Sequence, residues 1–309
     1  MYRSTLISEM DYHIPVLLGE SIRGLAINPE GVYVDATFGG GGHSEKILEE
    51  LRNGRLFAID QDVEAEQNAA DFQDLRLTFV SGNFRHVKRY LKLYGVIEID
   101  GLIADLGISS HQIDQPERGF STRFEGKLDM RMDNTMDLTA GIIINTYSQE
   151  NLQRIFTEYG EVKNARTLSK TIVRERINRK ITTTLDLIEI LEGLAPKPKR
   201  FKYFAQVFQS LRIEVNDEIN ALKELLLQAT GLIRKGGRLV ILSYHSLEDR
   251  LVKNYIQKGN FEGVEQKDLY GNVEKPFRAI TRKPMVASTK EKESNPRAKS
   301  AKLRIAEKI

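Results

Sequence analysis

Three aspartates, Asp35, Asp60 and Asp105, each close a short apolar run, and four consecutive glycines, Gly39 to Gly42, follow shortly after the first. Glycine lets bare backbone approach a ligand, and a helix beginning just after such a turn points free N–H groups at it. Here the glycines lead through His43 into a helix-like segment from Ser44. Asp60 stands nineteen residues beyond Gly41, at the end of Arg55-Leu56-Phe57-Ala58-Ile59. That is the spacing at which an open α/β sheet sets a carboxylate against both hydroxyls of a ribose. A ribose-bearing ligand is therefore expected; the alternative is a plain tight turn beside a strand-end acid.

The loop also discriminates between ligands. A dinucleotide fingerprint needs G-x-G-x-x-G, but Ser44 stands at the third glycine position after Gly39-x-Gly41. Shifting the frame to Gly40-x-Gly42 puts Glu45 there, a poor neighbour for a pyrophosphate. Asp35, just before the loop, favours a ligand with an ammonium group over one with a diphosphate. S-adenosyl-L-methionine carries an ammonium group and a ribose diol and has no phosphate. A nucleotide-dependent oxidoreductase is the runner-up.

These residues need a sheet to hold them. Apolar runs predict strands over 31–37, 55–60, 75–80 and 99–105, with helical patterns over 44–52, 62–72 and 84–94. Strands alternating with helices of this length form βαβ units and a parallel sheet. Ligands of such sheets lie beyond the carboxyl ends of the strands, so the three aspartates should share one crevice. After Asp105 a loop-like stretch runs to about 140, and a helical pattern follows over 148–202, broken at Ala195-Pro196-Lys197-Pro198-Lys199. Val215, Ile219, Leu222 and Leu226 mark one face of a long helix expected to stop at Lys235-Gly236-Gly237. A strand over 238–243, a helix over 247–257 and short strands over 277–282 and 301–306 complete the pattern, with a charged loop at 288–294 expected to be disordered. The expected fold is α/β: a Rossmann-like core from 1–110 and 206–309, interrupted by an inserted helical domain over 111–205.

Composition narrows the chemistry. With 40% hydrophobic and 29% charged residues over 309 positions, the chain reads as soluble and globular. No apolar run approaches the roughly 18–20 residues that span a bilayer. Met1 to Tyr12 lacks the layout of a signal peptide, so a cytoplasmic protein without membrane attachment is expected. Cysteine is absent, which removes disulfides, thiolate metal sites and thiol nucleophiles. Methylation of cytosine at carbon 5 through a cysteine adduct is thereby excluded. No metal-ligand spacing is visible, and no metal is expected. The net charge is only +3, yet Lys163 to Lys202 holds eleven Lys/Arg against four Asp/Glu, and Lys275 to Arg304 ten against two. Two basic blocks suggest a nucleic-acid partner; a solvated helix face is the bland alternative.

Longer motifs add a resemblance. They include His13-Ile14-Pro15-Val16-Leu17-Leu18, Asp35 through Ser44, Asp105-Leu106-Gly107-Ile108-Ser109-Ser110, Glu117-Arg118-Gly119-Phe120-Ser121 and Leu128-Asp129-Met130-Arg131-Met132-Asp133. Further on stand Arg212-Ile213-Glu214-Val215-Asn216, Ser243 through Arg250 and Asn295 through Ala301. Nearly end to end, the chain resembles the bacterial 16S ribosomal RNA methyltransferases that modify the exocyclic N4 of a decoding-region cytosine. The resemblance implies a Rossmann-like methyltransferase core with a helical insert, S-adenosyl-L-methionine as cofactor and 16S ribosomal RNA, within the small ribosomal subunit, as partner. By motif it implies cofactor contacts at Gly41, Gly42, His43, Asp60, Phe84, Asp105 and Gln112. One departure is His111, where that family often carries proline; it bears on the path of the loop rather than on the position of Gln112.

Asp105 is the candidate catalytic residue, and Ser109, Ser110 and His245 are the candidates on the substrate side. An exocyclic amine is a weak nucleophile because its lone pair is delocalised into the ring. A protein must align it with the methyl donor and accept the proton it sheds. Many amino-methyltransferases use an Asp/Asn-Pro-Pro-aromatic turn after strand four; here Asp105 to Ser110 stands in its place. Other readings are a methyltransferase of a non-RNA amine and a non-catalytic RNA-binding protein with a vestigial pocket. Monomer and homodimer are both open.

Overall fold

The computed structural model describes residues 15–267, 271 and 274–309. Seven strands form one sheet: Val32–Asp35 (β1), Arg55–Asp60 (β2), Leu77–Ser81 (β3), Ile99–Asp105 (β4), Ile233–Ser243 (β5), Phe277–Ala279 (β6) and Lys302–Lys308 (β7). Their order is β3-β2-β1-β4-β5-β7-β6. β1 to β5 pair in parallel, while β7 runs antiparallel to both its neighbours. The middle strands read as near-continuous apolar runs because both faces are covered; Phe57, Ile59, Leu102 and Ile103 are all buried. The chain winds outward from β1 to β3, then crosses back to place β4 on the other side of β1. That reversal opens a crevice at the carboxyl ends of β1 and β4, where open α/β sheets bind ligands. This is the expected Rossmann-like α/β architecture. Among the described residues, no helix is long and apolar enough to cross a membrane.

The helical insert has a core of its own. Helices Ala140–Thr146, Gln149–Glu158, Ala165–Asn178, Thr184–Glu192 and Arg200–Asn216 pack around Ile144, Phe156, Leu168, Leu187 and Leu211. Ser148 and Thr183 cap their helices, as the sequence pattern requires at Thr183-Thr184-Leu185-Asp186. The Ala195–Lys199 break falls as expected between two helices. The expected boundary at 205/206 lies inside the helix Arg200–Asn216, whose Tyr203, Phe204, Val207, Phe208, Leu211 and Val215 all join the insert's core.

Three expectations are corrected. The long helix through Val215 and Leu226 is two helices, Arg200–Asn216 and Glu218–Leu232, because Asp217 adopts a left-handed backbone at φ 49°. Asn216 holds the bend, accepting from the Met132 N–H at 2.7 Å and donating to the Met130 carbonyl at 2.8 Å. The first helix can then pack in the insert and the second against the sheet. Lys235-Gly236-Gly237 does not end a helix; it lies inside β5, where the register against β4 shifts and Gly236 takes φ 82°. The charged segment 288–294 is ordered: Ser288 caps a helix, Thr289–Ser294, and Glu291 Oε1 accepts the Leu17 N–H at 2.7 Å. His13 and Ile14 lie outside the described residues.

Candidate active site

Strand register brings the acids together. Asp35 pairs with Ala58 on β2 and Ile103 on β4, so Asp60 and Asp105 reach two residues further on either side of it. At about 3.3 Å per residue they stand roughly 6–7 Å beyond the end of β1 and flank the crevice. Asp35 itself is 1% exposed. Its Oδ1 accepts the Thr37 N–H and its Oδ2 accepts the Ser44 hydroxyl at 2.8 Å. It fastens the turn between β1 and the helix Gly42–Glu50, which leaves no free face for a ligand's ammonium group.

The glycines divide by role. A Cβ on Gly39 or Gly40 would meet nothing within 4 Å, so bare backbone there faces open space. At Gly41, with φ 80°, a Cβ would strike the ring of Phe72, and at Gly42 it would strike Pro15. Glycine at these two positions permits close packing and leaves only backbone to face a ligand.

Asp60 closes the loop from the other side. Its Oδ2 accepts the Gly39 N–H at 2.8 Å and its Oδ1 the Asp62 N–H at 3.0 Å. Burial pushes its carboxyl up to about 6. Donors such as ribose hydroxyls would favour its ionised form. His43 is 6% exposed and does not cap its helix; Gly41 does. Burial holds the imidazole below its ordinary range, and Nδ1 lies 4.0 Å from Asp105 Oδ2. Its buried Nε2 has no hydrogen-bond partner among the described residues. The open glycine backbone, the Asp60 carboxylate and this orphaned imidazole nitrogen together fit a polar, ribose-bearing cofactor.

Asp105 ends β4 with its N–H donated to the Thr37 hydroxyl at 2.6 Å. Its side chain keeps 23% exposure, and its Oδ1 accepts the Tyr244 hydroxyl at 2.6 Å. Burial pushes the carboxyl up to about 7, against the pull of Tyr244 and of the Arg297 guanidinium. Tyr244, from the end of β5, has its phenol raised by burial and by the carboxylate it serves. Arg297 Nη2 donates to the Ser109 carbonyl at 3.2 Å and so holds the loop after β4.

Ser109 and Gln112 form a reciprocal cap on the helix Ser110–Asp114. The Gln112 amide also donates to Asp62 Oδ2, which the buried Arg118 engages at 2.9 Å. Gln112 thus ties the post-β4 loop to the segment after Asp60. Phe84 opens the turn after β3, half-buried against the main core. His245 caps the helix Ser246–Lys258; its Nδ1 accepts the Glu248 N–H and its Nε2 lies 3.0 Å from Glu248 Oε1. No metal-ligand spacing is visible in the sequence, yet the fold brings Glu218, His245 and Glu248 within 4.8 Å of one another. Arg212 already lies on Glu218 at 2.8 Å, supplying positive charge to that cluster.

The structure therefore places Gly41, Gly42, His43, Asp60 and Asp105 at the carboxyl ends of β1, β2 and β4 and sets Ser109 and Gln112 in the segment after β4. Sequence reasoning missed Tyr244, Arg297, Asp62 and Arg118 as members of the site. All four lie in or beside conspicuous motifs, but their partners are distant in sequence.

Comparison with known proteins agrees with this geometry. The MraW methylase family model matches residues 10–309. The ribosomal RNA small subunit methyltransferase H of Cytophaga hutchinsonii is 58% identical over 297 residues, covering 96% of this chain and 99% of that protein. Its namesake from Amoebophilus asiaticus is 54% identical over 297 residues, with 96% of each chain covered. The one from Phocaeicola vulgatus is 52% identical over 298 residues, covering 96% and 97%. Glycine loop, strand-end acids and a match running to the last residue make this chain a member of the MraW methylase family.

Proposed function

We propose that the protein transfers a methyl group from S-adenosyl-L-methionine to the exocyclic N4 of a cytosine in the decoding region of 16S ribosomal RNA, acting in the cytoplasm on the small ribosomal subunit. The observation that carries this reading is Asp105: a carboxyl raised to about 7, held by Tyr244 at the switch point of a methylase sheet. The names of relatives at 50% identity and above, each a ribosomal RNA small subunit methyltransferase H, supply the substrate class.

S-adenosyl-L-methionine, when bound, supplies a methyl group already activated by its sulfonium. Gly41 and Gly42 would offer it backbone, Asp60 would accept from the ribose hydroxyls, and Phe84 and Gln112 would border it. His43, neutral and buried, keeps the Asp105 side of the crevice polar without adding charge. Asp105 would accept a hydrogen bond from the target amine and so localise its lone pair. The target amine must give up one proton on methylation, and the Asp105 carboxylate, titrating near neutrality, is matched to take it. Ser109, on the loop that Arg297 pins, would border the base, with His245 ordering the opposite loop.

The reading is tested by incubating the protein with labelled S-adenosyl-L-methionine and small ribosomal subunits from cells lacking it. Label recovered in N4-methylated cytidine after digestion supports it. Label in another nucleoside, or none, contradicts it.

A further inference from the structure

One aromatic on the insert lies far from this chemistry. Phe201 is 70% exposed at the start of the helix Arg200–Asn216, with the Arg200 guanidinium carbon 4.7 Å from its ring centroid. Lys197, Lys199, Arg200 and Lys202 surround it in sequence; all are exposed, and none forms an ion pair among the described residues. Lys163 and Arg166 join the same end of the insert, because Asn164 donates to the Leu194 carbonyl just before this segment. Neither forms an ion pair among the described residues.

The segment is built rather than loose. Pro196 and Pro198 restrict its turn, and Tyr203 and Phe204 anchor it in the insert's core. The ring stays exposed although burying it would be worth about 1.5–3 kcal/mol. An exposed ring beside unpaired cations matches unpaired nucleic acid, whose bases stack on aromatics while their phosphates meet Lys and Arg. The 17-residue helix begins directly after the turn Lys197–Lys199 and has no side-chain cap. The exposed ring among these cations speaks for RNA rather than for an acidic protein, because unpaired bases stack on it.

We propose that Phe201 is a stacking platform for an unpaired nucleotide of the substrate RNA, with Lys197, Lys199, Arg200 and Lys202 binding the flanking phosphates. This rests on the reading of the protein as an RNA methylase. Asn216, at the far end of the same helix, contacts Met130 and Met132 next to Arg118. Fifteen residues of helix separate it from Phe201, roughly 22 Å. The platform therefore grips a nucleotide other than the one modified.

The test uses the full chain and small ribosomal subunits from cells lacking it, with binding followed across a salt series. Phe201→Ala should weaken binding by about 5- to 150-fold, the range of one lost stack, while Phe201→Tyr stays within about twofold. Lys199→Gln with Lys202→Gln should instead flatten the salt dependence, by roughly 0.7 in slope per lost contact. Cofactor binding by each variant, measured alone, should be unchanged and reports an intact fold. Equal binding by Phe201→Ala, or no binding by the unaltered protein, overturns the proposal and leaves the surface to an acidic protein partner. Methyl transfer is scored separately: subunits bound through Phe201 but never methylated at N4 would sink the functional reading and leave the platform standing.

Discussion

The Tyr244 hydroxyl lies 2.6 Å from Asp105 Oδ1, joining the ends of the adjacent strands β5 and β4 across 139 positions of sequence. A largely desolvated carboxylate at a strand end would otherwise stay protonated above neutrality. The tyrosine opposes that burial by donating to the ionised form. The pair sets the pH at which Asp105 can accept a proton.

Tyr244→Phe should therefore shift the pH dependence of methyl transfer upward. The donor favours the ionised carboxylate, so its loss lets burial raise Asp105 further above about 7. A hydrogen bond to a charged group is worth about 1.5–3 kcal/mol, which corresponds to roughly one to two pH units. Rates at neutral pH should fall and recover at alkaline pH. A profile unmoved by the substitution would show that the tyrosine only packs.

Cofactor affinity should depend on Asp60. Its carboxyl titrates near 6 in the free protein, and ribose hydroxyls donate to its ionised form. Binding should tighten as pH rises from 5, by about tenfold, and level off near 7. Asp60→Asn should bind about 10- to 100-fold more weakly, having lost a charged acceptor, and should lose this pH dependence. Calorimetric titration at several pH values reads both effects; an unchanged slope in the variant would place the titrating group elsewhere.

Arg118→Ala should be costly for the fold as well as the site. The guanidinium is buried on Asp62, which also holds Gln112 and caps the helix Val63–Ala70. Removing one partner of a buried ion pair costs about 3–5 kcal/mol, because the other charge is left uncompensated. Denaturant unfolding should show this loss together with weakened cofactor binding. A loss below about 1 kcal/mol would mean that Asp62 reaches solvent.

Much of the core was legible because its signals are local. The runs Arg55–Asp60 and Ile99–Asp105 are apolar on both faces and end in acids, which marks buried parallel strands and their ligand-facing ends. The Pro-Lys-Pro break and the Thr183 cap were equally plain. What stayed hidden depends on contacts between distant segments. Asp217 looks like any helix residue until Asn216 bonds to Met130 and Met132 across more than 80 positions. Residues 288–294 read as a charged loop until Glu291 meets the Leu17 backbone, 274 positions away. Asp35 gave the same kind of surprise: its type suggested a ligand contact, and its burial against Ser44 and Thr37 makes it a fastener. Spacing reveals which strand end a residue occupies, not which neighbour takes up its charge.

The most direct test of the chemistry is single-turnover methyl transfer to small ribosomal subunits across pH 5 to 9, comparing the unaltered protein with Asp105→Asn. The expected result is a rate that climbs through about pH 7 to a plateau, and a variant slower by about 10²- to 10⁴-fold with no such rise. A near-normal rate in Asp105→Asn, with the rise intact, would contradict the role assigned to this carboxylate.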